Sequence, residues 1–162
     1  MAISSEVFRK IMGLFATGVT VVTARTGSGQ PWGFTVNSFT SVSLAPPLIL
    51  FCVGNGSDSS PVVERAEYFG VNYLSEAQEE ISRRFAARGV DRFAGLRYGE
   101  GAHGSPLLEG CLGFVECRKV TAHAAGDHTI ILCEVLDGEV GEGNPLLFFR
   151  SAYARMGPPA SR

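Results

Sequence analysis

Hydrophobic residues spaced three and four positions apart open the chain and predict a first helix. Val7, Ile11 and Leu14 follow this spacing, which places them on one helical face. Ser4 and Ser5 precede them as candidate N-caps, and Gly18 is placed to end the turn. We therefore expect a helix near the start of the chain that ends before Gly18.

Stretches rich in β-branched and aromatic residues follow and predict four strands. The segment "VTVVTA" predicts the first strand, "GSGQ" a turn, and "WGFTVNSFTSVSL" a second strand that returns beside the first. After Pro46 and Pro47, the continuous apolar run "LILFCV" predicts a buried strand. The run "YFGVNYL" predicts the next strand.

Capping signals predict two further helices. Ser60 followed by Pro61 suits the cap and first-turn proline of a short helix. Ser75 and Gln78 form a capping-box pattern that opens the segment "SEAQEEISRRFAAR". Helices are therefore expected to begin near residues 60 and 75.

The second half of the chain begins with a glycine-rich segment, residues 89–110, that predicts irregular structure. The segment "CLGFVECRKVTAHAAGDHTIILCEVLDGEV" then predicts two long strands joined near residues 125–127, and "PLLFFR" predicts a last strand. Many strands with few short helices favour an antiparallel barrel with helices at its ends over a doubly wound parallel sheet. We expect a mainly β, α+β domain over residues 1–155 and a disordered tail over residues 156–162.

The predicted second strand carries more polar residues than a core strand requires. A strand that only fills a core needs apolar residues at every second position, yet Thr35, Asn37, Ser38 and Ser41 lie between its hydrophobic residues. We infer that a polar ligand contacts this strand.

Composition and charge narrow the class of partner. The 162 residues are 45% hydrophobic and 19% charged, with a net charge of -2, so no basic excess indicates nucleic acid or an acidic membrane surface. The N-terminal segment lacks the pattern of a signal peptide, and no stretch is long enough to span a membrane. With no basic excess, small molecules are the expected partners. The 4 cysteines are not closely paired, which suits reduced thiols in a cytoplasmic protein.

Motifs for common cofactors and catalysts are absent or out of context. The G-x-G-x-x-G pattern at Gly99, Gly101 and Gly104 has no strand before it and no helix after it, so we interpret it as a loop. The histidines do not have the spacing of zinc ligands, and His123 and His128 flank a predicted turn as exposed residues would. We expect no metal site.

Two segments have both a ligand-binding and a structural interpretation. The loop "GNGSDSSP" offers amides and hydroxyls at a helix start, where phosphate binds well, but an ordinary capped helix explains it equally. Arg92 and Phe93 in "DRFAG" are either a cation and an aromatic ring that bind a ligand or merely the surface end of the preceding helix. The residues alone do not decide between these interpretations.

Several of these segments in order resemble the short-chain flavin reductase family. They are "FATGVTVVTA", "GFTVNSFTSVSLAPPLILFCV", "FGVNYL", "RFAG", "GDH" and "PLLFF" with a following Tyr153. Members of this family are the NAD(P)H-dependent partners of two-component flavin monooxygenases. The resemblance extends over about residues 8–153. It implies hydride transfer from NADH or NADPH to FMN or FAD, and it implies that reduced flavin reaches a partner monooxygenase by diffusion.

The resemblance also assigns roles to residues. It implies that the polar strand runs along the flavin and that the nicotinamide lies against the catalytic candidate His128 of "GDH". The implied flavin contacts are Thr35, Val36, Asn37, Ser38 and Ser41 on the strand, Ser59 and Ser60 near the phosphate, and Arg92 and Phe93. Arg150 and Tyr153 belong to a C-terminal stretch of the same pocket.

The family fold is an FMN-binding split β-barrel of Greek-key topology, usually a homodimer with the flavin at the subunit interface. Two other functions remain open. One is a split-barrel flavoprotein oxidoreductase that retains FMN as a prosthetic group, and the other is a non-catalytic flavin-binding or haem-related module.

Overall fold

The computed structural model describes residues 3–157, and residues 158–162 of the predicted tail lie outside this range. Three short helices are present within residues 3–157: α1 Ser5–Met12, α2 Ser60–Arg65 and α3 Glu79–Ala86, the last preceded by a 3-10 turn over Glu76–Gln78. The predicted capping box is confirmed, because Ser75 and Gln78 each bond the other's backbone at the start of this turn.

The described residues contain twelve strands, all paired antiparallel. They are β1 Thr17–Gly18, β2 Thr20–Arg25, β3 Pro31–Val36, β4 Phe39–Leu44, β5 Pro47–Gly54, β6 Tyr68–Tyr73, β7 Tyr98–Glu100, β8 Pro106–Leu108, β9 Gly113–Ala125, β10 His128–Val140, β11 Leu147–Phe149 and β12 Ala152–Ala154. The main sheet has seven strands in the order β3-β2-β6-β9-β10-β5-β4. The expected mainly β, antiparallel class is therefore confirmed.

The segment predicted as one strand over residues 32–44 is two strands, so that prediction was wrong. β3 pairs with β2 at one edge of the main sheet, whereas β4 pairs with β5 at the opposite edge. Only Asn37 and Ser38 connect them, which holds the Cα atoms of Val36 and Phe39 within about 11 Å. The sheet must therefore curl until its two edges approach each other at this corner.

Apolar side chains pack on both faces of the curled sheet. One cluster contains Val22, Phe51 and Phe69, and a second contains Val21 and Phe85. Neighbouring residues of β2 thus enter different clusters, so this strand is buried almost throughout. This double burial explains why "VTVVTA" is continuously β-branched or small instead of alternating with charged residues.

Helix α1 is shorter than predicted and packs little of its apolar face. It ends at Met12, with Gly13 as its C-cap, because β1 already begins at Thr17. None of its residues is buried, and Ile11, Leu14 and Phe15 in and after the helix are exposed. The predicted helical spacing is present, but the described chain supplies no partner for the apolar side.

Three smaller predictions need correction. The N-cap of α2 is Ser59 and not Ser60, and its side chain makes no capping hydrogen bond. The segment 89–110 contains the β7–β8 hairpin in addition to irregular structure. The C-terminal strand begins at Leu147, and a further strand, β12, pairs with it.

The long β9–β10 hairpin agrees with the prediction and turns at Gly126 and Asp127.

Candidate functional site

A polar cleft of about 330 Å³ lies beside the corner between β3 and β4. We call it the corner cleft, and it is lined by residues 34–38, 52–54 and 57–59, the end of α3 with Arg88, and the side chains of Arg92 and His128. The cleft therefore collects segments that are far apart in sequence. Seven of the residues implied by the family resemblance lie in it: Thr35, Val36, Asn37, Ser38, Ser59, Arg92 and His128.

The polar residues of the corner have different roles. The Thr35 hydroxyl donates to the carbonyl of Ser82 at 2.6 Å, which ties β3 to α3. Ser38 bonds both the amide and the carbonyl of Cys52, at 3.3 and 3.4 Å, which ties the corner to β5. Asn37 is exposed, and its side chain makes no hydrogen bond within residues 3–157. Asn37 thus has free donors and an acceptor at the cleft surface.

The loop of residues 54–59 forms a second wall of the cleft. The Ser59 side chain is buried and accepts a hydrogen bond from the indole nitrogen of Trp32 at 3.1 Å. Ser57 Oγ is also buried, but it has no hydrogen-bond partner among the residues described. A buried hydroxyl without a partner is costly, so Ser57 is suited to bind a polar group that enters the cleft.

Arg92 braces the cleft wall. Its guanidinium is almost fully buried, lies 4.7 Å from the Trp32 ring centre, and pairs with the Asp58 carboxylate at 2.7 Å. It also donates to the carbonyls of Gly33 at 3.0 Å and Ala87 at 2.8 Å. Most of its donors are therefore used to fix β3, the end of α3 and the loop in one arrangement.

Arg88 is a cleft residue that sequence reasoning missed. It lines the cleft one residue beyond the C-cap of α3, is exposed, and makes no ion pair or side-chain hydrogen bond within residues 3–157. Its charge is therefore available to an anion in the cleft. Its position directly after a helix and close to "DRF" was the only signal in the sequence.

His128 approaches the cleft from the tip of the β9–β10 hairpin. Its Nδ1 lies 2.7 Å from Asp127 Oδ1, and this hydrogen bond holds the pKa of Asp127 below its ordinary value. His128 pairs with Gly54 across the two strands, and a Cβ on Gly54 would lie 3.7 Å from His128 Nε2. Nε2 therefore lies over Gly54 at the cleft, while the other ring nitrogen is held by Asp127.

The remaining residues implied by the resemblance do not line the cleft. Ser41 is exposed on β4, Ser60 faces a separate groove that contains Lys119, and Arg150 is in the turn between β11 and β12. Phe93 packs edge-on against Phe85, with ring centres 5.1 Å apart. Within this single chain, these four residues are separated from the cleft.

Tyr153 lies behind the cleft and contacts it through one intermediate residue. Its hydroxyl is 2.8 Å from Ser82 Oγ, and the Ser82 carbonyl accepts the hydrogen bond from Thr35. Arg83 covers the Tyr153 ring at 4.7 Å. Tyr153 therefore supports the wall formed by β3 and α3 from the side away from the cleft.

The glycine-rich segment binds an internal carboxylate. Glu116 is fully buried on β9, and its oxygens accept hydrogen bonds from the amides of His103, at 3.0 Å, and Ser105, at 3.1 Å. A Cβ at Gly101 would lie 2.5 Å from the same carboxylate. Gly101 and Gly104 therefore belong to a loop wrapped around Glu116, as interpreted from the sequence, whereas Gly99 is in strand β7.

Other titratable groups give no second site. Among residues 3–157, no group of three or more histidine, cysteine or acidic side chains is arranged to hold a metal ion. The 4 cysteines are free thiols, and burial raises the pKa of Cys111 to about 11. No helix in the described part of the chain is long and apolar enough to cross a membrane.

The sequence was compared with protein families of known type. Residues 12–157 match the family described as flavin reductase like domain. The chain belongs to this flavin reductase family. The match includes the corner cleft and every site residue named above, so the resemblance noted in the sequence is confirmed.

Individual relatives of this flavin reductase domain are similar over nearly the whole of this chain. The reductase subunit HsaB of a flavin-dependent monooxygenase from Rhodococcus jostii is 40% identical over 158 residues, covering 97% of this chain and 80% of the relative. The FMN reductase (NADH) SmoA of Agrobacterium fabrum is 45% identical over 153 residues, covering 94% and 87%. The solved structure of the Streptomyces globisporus NADH:FAD oxidoreductase SgcE6 with NAD and FAD fragments has a TM-score of 0.92, 36% identity and 99% coverage of both chains.

Proposed function

We propose that this protein is an NAD(P)H-dependent flavin reductase that transfers a hydride from the nicotinamide to FMN or FAD. The observation that carries the proposal is the corner cleft, which has unpaired polar groups at one end and His128 at another part of its rim. Membership of the flavin reductase family and relatives named as FMN and FAD reductases support it.

The cleft residues suit the phosphate end of a flavin. Ser57 Oγ is buried without a partner, and Arg88 is a cation with no ion pair among the described residues. The amides of Ser60 and Val62 near the start of α2 already bond to the Ser57 and Ser59 carbonyls, so these two amides are not available to a phosphate. We assign the phosphate to Ser57 and Arg88, with Ser59 and Arg92 holding the loop in place.

The corner of the sheet suits the ring system. Asn37 offers hydrogen-bonding groups, and the short backbone segment through Val36 and Ser38 lies at the cleft surface beside Cys52. Ser38 is fixed by its bonds to Cys52, so this edge is rigid before a ligand binds. We assign the isoalloxazine and ribityl groups to this edge, while Thr35 anchors the strand to α3.

The chemistry comes from the cofactors, since bound flavin accepts a hydride from reduced nicotinamide. The protein has to align the two rings and exclude competing reactions, and it needs no activated nucleophile. His128 Nε2 at the cleft rim is placed to hydrogen-bond the nicotinamide carboxamide, because Asp127 holds the opposite ring nitrogen. His128 is therefore assigned to orient the nicotinamide.

The topology supports the FMN-binding split β-barrel as the finer description of the fold. The order β3-β2-β6-β9-β10-β5-β4 places β3 and β4, which are consecutive in sequence, at opposite edges of the sheet, as Greek-key connections do. The two-residue link between these edges brings them together at one corner, while no ladder joins β3 to β4. These features support the proposal of a barrel that is open along one seam.

Exposed apolar residues support a homodimer. Leu44 and Val140 are 95% and 92% exposed, and the apolar face of α1 has no packing partner among the described residues. Apolar surface of this kind usually belongs to an interface. Light scattering is expected to report a dimer, and a monomer at micromolar concentration that still binds flavin well would contradict this assignment.

The reduced flavin is proposed to diffuse to a partner flavin-dependent monooxygenase. The reductase subunits and components among the relatives support this role, and the cytoplasm remains the expected location because the cysteines are free thiols. Dialysis is expected to remove the flavin and added flavin to restore activity. Flavin that stays bound until denaturation would favour the prosthetic-group alternative.

The direct test is consumption of NADH and NADPH in the presence of FMN, FAD or riboflavin. Flavin-dependent oxidation of at least one reduced nicotinamide is expected, with the flavin reduced in equal amount. Flavin binding without oxidation of either nicotinamide would favour the non-catalytic flavin-binding module and refute the reductase assignment. This assay also determines the preferred flavin and nicotinamide.

A further inference from the structure

One residue outside the corner cleft connects the flavin loop to the turn that carries His128. Asn55 donates its backbone amide to the Asp127 carbonyl at 3.0 Å and its side-chain amide to the Gly126 carbonyl at 3.4 Å. Its Oδ1 accepts from the Thr129 hydroxyl at 2.8 Å. Asn55 thus contacts the residues on both sides of His128.

These contacts occur where regular pairing ends. The ladder between β5 and β10 ends at the pair Gly54 and His128, and Gly126 and Asp127 are exposed at the hairpin tip. The two bonds that Asn55 donates are the described bonds that join the loop to the turn beyond this last pair, and its bond from Thr129 ties it to β10. The conformation of the loop therefore affects the turn that precedes His128, whose own backbone is paired with Gly54.

The same loop contains the groups assigned to the flavin phosphate. Ser57 and Asp58 follow Asn55 by two and three residues, and Asp58 is held by Arg92. Arg92 therefore holds the loop at Asp58, whereas a ligand bonded to Ser57 would hold it closer to Asn55 and the turn. Asn55 itself does not line the cleft, so its effect on a flavin is indirect.

We propose that Asn55 is a positioning residue that couples flavin binding to nicotinamide binding, an inference that rests on the proposed reductase function. With the loop fixed by flavin, Asn55 holds the Gly126 and Asp127 turn and so presents His128 Nε2 to the nicotinamide. Such coupling is reciprocal, because each ligand must raise the affinity for the other by the same factor.

The test is the affinity for NAD⁺ measured by calorimetry with and without saturating FMN, since these two oxidised ligands do not react. The unaltered protein is expected to bind NAD⁺ at least about 5-fold more tightly when FMN is present. In Asn55→Ala this ratio is expected to fall towards one, while the dissociation constant of FMN alone changes little. Thr129→Val removes one of the three bonds and is expected to give an intermediate ratio.

Two variants serve as controls. Thr129→Ser retains the hydroxyl and is expected to retain the ratio of the unaltered protein. Asn144→Ala removes an exposed asparagine whose side chain bonds Glu76, on another part of the surface, and is expected to have no effect on the ratio. Thermal unfolding of each variant establishes whether it is folded. If Asn55→Ala does not fold, the ratio measured for Thr129→Val decides whether the inference holds.

An unchanged ratio in folded Asn55→Ala, or no coupling in the unaltered protein, overturns the inference. If Asn55→Ala does not fold, an unchanged ratio in Thr129→Val overturns it instead. Flavin reduction that persists alongside such a result leaves the proposed function intact. If the unaltered protein neither binds FMN nor oxidises NADH, the proposed function falls and the inference falls with it. The two failures are therefore distinguishable.

Discussion

Replacing Arg88 by alanine tests the assignment of the phosphate end of the cleft. Arg88 lines the cleft without an ion-pair partner in residues 3–157, whereas the nearby Arg92 is already paired with Asp58. A phosphate in the cleft would therefore gain its main charge interaction from Arg88. FMN carries this phosphate and riboflavin does not, so the two ligands separate the charge interaction from ring binding.

The size of the effect follows from the exposure of Arg88. A hydrogen bond to a charged group contributes about 1.5–3 kcal/mol, and solvent screening at an exposed site lowers this to roughly 1–2 kcal/mol. At 1.4 kcal/mol for each tenfold change, Arg88→Ala is expected to weaken FMN binding roughly 5- to 30-fold. Riboflavin binding is expected to stay within about 2-fold of its original value.

Fluorescence titration of both flavins at low and high salt measures these affinities. The salt dependence of FMN binding is expected to decrease in Arg88→Ala, because one screened charge interaction is lost. Arg84→Ala is the matched control, since Arg84 is on the preceding helix α3 but bonds the Ala94 carbonyl outside the cleft. Equal loss of FMN and riboflavin affinity, or unchanged FMN affinity, would refute the assignment.

Three further predictions concern single substitutions. Glu116→Gln places an amide group against the amides of His103 and Ser105 and is expected to destabilise the fold by about 2–3 kcal/mol, lowering the melting temperature by roughly 4–12 °C. Glu67→Gln, at an exposed position, is the control. Equal melting temperatures of the two variants would contradict a stabilising role of the buried Glu116 carboxylate. His128→Ala is expected to lower kcat/KM for the reduced nicotinamide by the equivalent of about 1–3 kcal/mol in steady-state kinetics, with little change in flavin affinity, and an unchanged kcat/KM would remove His128 from the site. Ser151→Gly relieves a positive φ of 62° and is expected to stabilise the protein by about 0.5–1 kcal/mol in denaturant unfolding, whereas destabilisation would contradict strain at that turn.

Local sequence signals predicted the elements whose boundaries depend on nearby residues. The capping box of Ser75 and Gln78 and the long hairpin turning at Gly126 both agree with the structure. The corner at Asn37 and Ser38 was missed because Val36 and Phe39 on either side continue the pattern of a strand. The chain divides there because β3 and β4 pair with strands at opposite edges of the sheet, which is a long-range effect.

Some residues of the candidate site could be predicted from the local sequence, whereas others depend on contacts between distant parts of the chain. The polar excess around Asn37 predicted a ligand site, and Asn37 lies in the corner cleft to which we assign the flavin, together with Ser59 and His128, which the family resemblance added. Arg88 was missed because a surface arginine after a helix has no distinguishing pattern. The roles of Ser57 and Asn55 depend on which hydrogen bonds the folded chain leaves open or completes, and no sequence spacing reveals that.

Alkylation of Cys52 locates the flavin most directly. Cys52 lines the corner cleft, whereas Cys117 and Cys133 are buried, and burial raises the pKa of Cys111 to about 11, so that thiol reacts slowly at neutral pH. FMN at about 100 times its dissociation constant is expected to slow Cys52 labelling, followed by mass spectrometry, roughly 100-fold, because only about 1% of the clefts remain free. Labelling of Cys52 at an unchanged rate under saturating FMN would contradict the placement of the flavin in the corner cleft.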